Sequence, residues 1–175
     1  MLFLFAKYNN AKGVILEIGT KHGYSTGFLA VGSKEGKKSI VHTIDRDRSS
    51  LIDHKFLSAA GVTNLIIFHI GDSNDVTWNK PIKLLFIDGS HTYADVRRDY
   101  LKYEPYVSSG GIIALHDGFP IHLPMFYLDV WKGKQDFWQG PDFQGGPQRV
   151  IEEFFNYNNF KALGKIQTLT YGVKK

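Results

Sequence analysis

Five short apolar runs mark the chain at residues 14–18, 39–44, 65–70, 83–87 and 112–115, with amphipathic stretches between them. Buried parallel strands joined by helical crossovers produce that alternation. The intervening pattern predicts helices over 24–31, 49–60 and 93–106, the second with Ser49 as its N-cap and Gly61 just past its end. Gly110 and Gly111 turn the chain into the fifth strand. After His116 and Asp117 the rhythm stops, and residues 118–146 are rich in Gly, Pro and aromatics without a clean period. A long aperiodic stretch inside a compact domain is commonly functional or mobile. The pattern resumes with a helix over 147–157, Pro147 lying in its first turn. Residues 160–166 and 168–173 then read as two closing strands of an antiparallel hairpin at the sheet edge. The expectation is one α/β domain over 1–175, with a mostly parallel seven-stranded sheet, a C-terminal antiparallel hairpin and an insertion at 118–146.

Composition adds exclusions. A chain of 175 residues, 43% hydrophobic, has the size and apolar content of a single soluble domain. The formal charge of +4 is spread out: Lys34, Lys37 and Lys38 share one loop, and Arg97 and Arg98 share a predicted helix. Dispersed bases read as solvated surface, so no nucleic-acid partner is expected. The absence of cysteine excludes disulfides and thiolate metal sites. The apolar start, Met1 to Ala6, is far too short for a signal sequence or a membrane span. A cytoplasmic protein with no membrane partner is the default expectation.

Candidate chemistry sits at the strand ends. The first strand runs into Glu17-Ile18-Gly19-Thr20-Lys21-His22-Gly23. A glycine turn between strand and helix lets a ligand approach the backbone and meet a helix N-terminus. The spacing is E-x-G-x-x-x-G rather than the G-x-G-x-x-G that clears room for a pyrophosphate, so a ligand without one fits better. Asp45 ends the second strand, where a carboxylate can accept both hydroxyls of a ribose. Asp72 and Ser73 follow the third strand, where they would either read an adenine edge or form an Asx turn.

Residues 14–23, 42–45 and 71–73 resemble the successive cofactor motifs of class I S-adenosylmethionine-dependent methyltransferases. The runs Leu84-Leu85-Phe86-Ile87-Asp88-Gly89-Ser90-His91-Thr92-Tyr93 and Gly110-Gly111-Ile112-Ile113-Ala114-Leu115-His116-Asp117 resemble one branch more narrowly. That branch is the small-molecule O-methyltransferases, including macrolide-sugar methyltransferases and cephalosporin-hydroxylase-like proteins. The resemblance covers 14–117 well, weakens over 147–173 and is absent across 118–146. It implies a Rossmann-like methyltransferase fold. It also implies S-adenosylmethionine held by Glu17, Gly19, Thr20, Gly23, Ser25, Asp45, Asp72 and Ser73, with Tyr24 as a further neighbour of the methionine end; His22 is either a cofactor neighbour or an incidental loop histidine.

Methyl transfer from a sulfonium to a hydroxyl needs close positioning and removal of a proton. A base can take that proton, and a divalent cation can lower the hydroxyl pKa. Asp88 and Asp117 end adjacent strands, with His116 beside the second, and two carboxylates suit a hydrated Mg²⁺. In metal-dependent relatives acids occupy these positions; His116 departs from that pattern and suits a transition metal better, or stands outside the ligand set. His91 lies three residues after Asp88, the offset at which the resembling enzymes keep a base.

The aromatics Phe119, Phe126, Tyr127, Trp131, Phe137, Trp138 and Phe143 form a substrate lid, a homodimer contact or packing over the sheet edge. The reading is metal-assisted O-methylation of a small-molecule or sugar hydroxyl. A non-methylating, hydroxylase-like relative is the main alternative. A nucleic-acid base methyltransferase is disfavoured, because Asp88-Gly89-Ser90-His91 stands where such enzymes carry Asn/Asp-Pro-Pro-aromatic. A dehydrogenase lacks its glycines.

Overall fold

The computed structural model describes residues 1–47, 54–118 and 145–175. The chain opens with a helix, α1 (Leu2–Tyr8), followed by β1 (Val14–Ile18), α2 (Tyr24–Glu35) and β2 (Val41–Asp45). Next come α3 (His54–Ala59), β3 (Ile66–Ile70), β4 (Ile82–Ile87), α4 (Tyr93–Tyr103) and β5 (Val107–Leu115). It closes with α5 (Gly146–Phe154), β6 (Phe160–Ile166) and β7 (Leu169–Lys174). The seven strands form one sheet in the order β3-β2-β1-β4-β5-β7-β6. β1 to β5 pair in parallel, while β7 pairs antiparallel with both β5 and β6. The expected seven-stranded, mostly parallel sheet with a C-terminal hairpin is therefore observed.

Period-two alternation sends each strand's side chains to opposite faces. Ile15, Val41, Leu84, Phe86, Ile112 and Ala114 pack with Phe5, Ala6, Leu29 and Ala30 of α1 and α2. Leu16, Ile18, Ile44, Leu85, Ile87, Ile113 and Leu115 pack with Val96, Tyr100 and Tyr103 of α4 and Val150 of α5. Helices thus cover both faces, which is why the central strands read as unbroken apolar runs.

The differences from the sequence expectation have identifiable physical causes. The residues before β1 form a helix that packs on α2, because Gly32 and Gly36 let its backbone approach. A Cβ on Gly32 would stand 2.3 Å from the Phe3 carbonyl oxygen. That contact carries α2 past the expected end at Val31 to Glu35. α4 stops at Tyr103 rather than Tyr106, where Pro105 enforces a 3-10 turn over Glu104–Tyr106. Gly110, with φ of 77°, lies inside β5, whose pairing with β4 shifts register between Ile82 and Leu84. The glycine pair therefore marks an irregularity within the strand and not a turn before it. The Ser49 cap and the aromatic stretch from Phe119 to Phe143 lie outside the described residues. Among the described residues, no helix is long and apolar enough to cross a membrane.

Candidate active site

Parallel pairing brings the C-terminal ends of β1, β2, β4 and β5 to one edge of the sheet. The topology reverses between β1 and β4, and a crevice at such a switch point is where open α/β sheets bind ligands.

The glycine loop is held from beneath. Glu17 is fully buried, and its Oε2 accepts hydrogen bonds from Thr26 Oγ1 (2.5 Å) and Thr43 Oγ1 (2.7 Å). Its Oε1 is buried and makes no directed hydrogen bond among the described residues. Burial pushes the Glu17 carboxyl up to about 7, against the pull of the Ser25, Thr26 and Thr43 hydroxyls. Thr20 is also buried, its Oγ1 lying 2.6 Å from Thr43 Oγ1. Asp45 Oδ2 accepts the backbone N–H groups of Thr20 and Lys21, each at 2.8 Å, and Oδ1 accepts that of Asp47 at 2.9 Å. Asp45 thus anchors the loop while keeping one lone-pair direction for a ligand.

Gly23 is the N-cap of α2, with φ of 77° and no capping side chain. Among the described residues, nothing lies within 4 Å of the place its Cβ would occupy, and the same holds at Gly71 after β3. An open cradle above an uncapped helix N-terminus, with a buried carboxylate oxygen below it that lacks a directed hydrogen bond, fits a ligand that carries both a carboxylate and cationic groups. His22 is exposed, its ring edge-on to Tyr24 at 6.2 Å.

The β3 end is occupied by protein contacts. Asp72 pairs with Arg46 at 2.6 Å and accepts the Asn74 N–H at 2.8 Å, which holds its carboxyl below the usual range. The Asn74 contact is the Asx turn that the sequence left open. Ser73 is buried and donates to Asp99 Oδ1 at 2.5 Å.

The other half of the site stands at the tips of β4 and β5. Ile87 and Leu115 are register partners, so Asp88 and His116 leave the sheet at one level. His91 Nε2 lies 2.9 Å from Asp117 Oδ2. His116 Nδ1 lies 3.1 Å from Asp117 Oδ1 and 3.3 Å from Asp88 Oδ1. That nitrogen is buried and makes a directed hydrogen bond to neither oxygen, so the contact is electrostatic. The Asp117 and Asp88 carboxylates push the His116 imidazole up to about 10, against burial. Burial pushes Asp117 up as well, but the two imidazoles outweigh it and hold its carboxyl far below the usual range. One donor atom from each of Asp88, His116 and Asp117 falls within 4.8 Å of the others. Neighbouring ligands of an octahedral ion with bonds of about 2.1 Å lie about 3 Å apart. The spacing therefore fits a divalent cation, which would take the place of the proton on His116 Nδ1 between the two carboxylates.

Several contacts in this half have no signature in the sequence. Thr168 Oγ1 lies 3.0 Å from His116 Nε2, and the Gly146 N–H donates to the His91 carbonyl at 3.0 Å. Thr26, Thr43 and Asp99 likewise join the site through contacts between residues distant in sequence or on different elements.

A family model described as a methyltransferase domain matches residues 16–118. Among solved structures, the O-methyltransferase TomG from Streptomyces achromogenes, in complex with S-adenosylmethionine, aligns with a TM-score of 0.67 at 21% identity. That alignment covers 99% of this chain and 78% of TomG. CalS11, a TDP-rhamnose 3'-O-methyltransferase of calicheamicin biosynthesis, aligns at 0.66 and 15% identity, covering 98% of this chain and 75% of its own. MycE of the mycinamycin pathway, solved with Mg and S-adenosylhomocysteine, aligns at 0.57 and 20% identity, covering 95% of this chain and 46% of MycE. These structures share the fold, and the family match spans β1 to the end of β5, the segment that builds the site; the chain belongs to the methyltransferase-domain family.

Proposed function

We propose that the protein transfers a methyl group from S-adenosylmethionine to a hydroxyl of a small molecule or sugar, with a divalent cation and His91 assisting. The observation that carries this reading is the His91–Asp117 pair standing beside the convergent Asp88, His116 and Asp117 donors. When bound, S-adenosylmethionine supplies an electrophilic methyl on a sulfonium, and the divalent ion acidifies the acceptor hydroxyl. The cradle over Gly23, with Glu17 beneath, receives the methionine end, and Asp45 the ribose. Asp72 and Ser73 stand at the adenine end. Asp88, His116 and Asp117 hold the cation. Asp117 Oδ2 accepts the Nε2–H of His91, which fixes the tautomer whose Nδ1 is basic. His91 then takes the hydroxyl proton as the oxygen–carbon bond forms and the carbon–sulfur bond breaks, leaving a neutral thioether.

Loss of a general base costs about 10²–10⁴-fold in rate. His91→Ala is expected to lower turnover of an identified acceptor by that order, with cofactor affinity measured by calorimetry unchanged. EDTA is expected to abolish turnover, and added divalent ion to restore it. A fully active His91→Ala protein removes the base from this reading, and full activity in EDTA removes the cation.

A further inference from the structure

We propose that His116 makes the cation site selective for a borderline first-row transition ion over Mg²⁺, with Thr168 as the positioning residue that presents its Nδ1. The proposal rests on the metal-assisted reading above and specifies the ion that the reading leaves open.

The two nitrogens of the His116 ring have different surroundings. Nδ1 points between two carboxylate oxygens, at 3.1 and 3.3 Å, buried and without a directed hydrogen bond. Nε2 lies 3.0 Å from the Thr168 hydroxyl. The ring plane is braced edge-on against Phe86, with centroids 6.5 Å apart at 82°. A metal-bound imidazole almost always donates its other N–H to a fixed acceptor, which sets the tautomer and raises the basicity of the ligating nitrogen. Thr168 is placed to be that acceptor.

Thr168 is no freely moving side chain. It sits in the two-residue link between β6 and β7, next to Gln167 at φ of 54°. Its carbonyl accepts the Gly118 N–H at 3.1 Å, one residue beyond Asp117. β7 pairs antiparallel with β5, Thr170 opposite Leu115, so the hairpin end is fastened to the strand that carries His116 and Asp117. The hairpin at the end of the chain thus reaches into a site otherwise built from β4 and β5.

The chemistry then follows from the donor set. Mg²⁺ prefers oxygen ligands and gives up water reluctantly. Imidazole suits borderline ions such as Fe²⁺, Co²⁺, Ni²⁺ and Zn²⁺, whose affinities for nitrogen-containing sites exceed those of the hard ions. Two carboxylates and one oriented imidazole form such a mixed site. The opposing possibility is that protonated His116 itself bridges Asp88 and Asp117 and no ion enters.

The test is a metal titration of the full chain, using Co²⁺ and Mg²⁺ salts without cofactor or acceptor. Co²⁺ is followed by its visible absorption and by paramagnetically shifted proton resonances, and Mg²⁺ by competition. One Co²⁺ per chain is expected, at least about 10-fold tighter than Mg²⁺, with one shifted imidazole N–H in slow exchange. His116→Asp is expected to abolish that preference. Thr168→Val is expected to weaken Co²⁺ by about 10-fold, the lower end for loss of a group that orients a ligand, and to speed exchange of the N–H. Thr168→Ser retains both properties and serves as the comparison if the valine variant fails to fold. Mg²⁺ binding as tight as Co²⁺ overturns the selectivity while leaving metal assistance intact. A wild-type chain that binds neither ion overturns both readings and leaves His116 as the internal cation. Unchanged affinity and exchange in Thr168→Val overturns the role of Thr168.

Discussion

Glu17 stores a conflict between stability and binding that pH can expose. Its carboxyl is fully buried, its Oε1 makes no directed hydrogen bond among the described residues, and burial raises it from 4.5 to about 7. Between those two pH values the unfolded chain has released this proton and the folded chain has kept it. Stability therefore falls as pH rises from about 4.5 to about 7, then levels off. The shift corresponds to about 3 kcal/mol at pH 8. Glu17→Gln preserves shape and an acceptor for Thr26 and Thr43 but cannot ionise. The two proteins should be nearly equal in stability at pH 4.5, and the variant should gain steadily to pH 7. In a chain of this size the full gain corresponds to about 6–12 °C in melting temperature. Subtracting the two curves, measured by urea unfolding in steps of half a pH unit, isolates Glu17 from every other titrating group. A difference that does not change with pH would refute the buried, neutral Glu17 on which the argument depends. The same variant should bind S-adenosylmethionine more weakly at pH 8, because the charge that costs stability is the one a cationic ligand uses.

Asp45→Ala should weaken S-adenosylmethionine binding by more than about 1 kcal/mol, through an unpaired ribose hydroxyl and release of the Thr20 and Lys21 amides; calorimetry giving wild-type affinity removes Asp45 from the site. The stacked His42–His69 pair, bonded at 2.8 Å, should make the β2–β3 edge acid-sensitive. Burial lowers His42 to about 4 and lowers His69 as well, so the stability of the neutral pair is present above about 6.5 and lost as pH falls toward 4. His69→Gln should flatten that fall in melting temperature, and an equal slope in both proteins counts against it.

The fold was legible because its signals are local. Val14–Ile18 and Phe160–Ile166 match their expected bounds, the first as an apolar run that ends at a glycine turn and the second as a segment set between Asn158-Asn159 and the tight turn at Gln167. α1 was not legible, because seven residues carry little helical period and its stability comes from Gly32 and Gly36, more than 20 residues away. At the site, strand-end acids and the Asp88–His91 offset could be read directly. Their relations could not. That Asp117 touches both His91 and His116 depends on β4–β5 register, and that Thr168 meets His116 depends on where the hairpin folds back. At Asp72 the Asx turn was one of the two readings that the position allowed, whereas the pairing of its carboxylate with Arg46, 26 residues away, was not legible.

Two glycines of the first loop look alike in sequence and should behave differently, because one meets protein and the other meets open space. Gly19 has φ of 99°, and a Cβ there would stand 2.3 Å from the Asp88 carbonyl oxygen. This close approach joins the cofactor loop of β1 to the tip of β4, across the switch point of the sheet. Gly23 has φ of 77° and, among the described residues, nothing within 4 Å of its Cβ position. Alanine at either position incurs the left-handed backbone strain, about 1–2 kcal/mol. At Gly19 it must also push Asp88 away, so Gly19→Ala should cost several kcal/mol in the free protein and weaken both cofactor and metal binding. At Gly23 the free protein should lose only the strain, and metal binding should be untouched. Its cofactor affinity should nevertheless fall at least 10-fold, because the methyl enters the space assigned to the methionine carboxylate. Urea unfolding gives the first comparison and calorimetry with S-adenosylmethionine the second. If Gly23→Ala binds the cofactor as tightly as the wild type, the cradle above α2 is not where the methionine end sits.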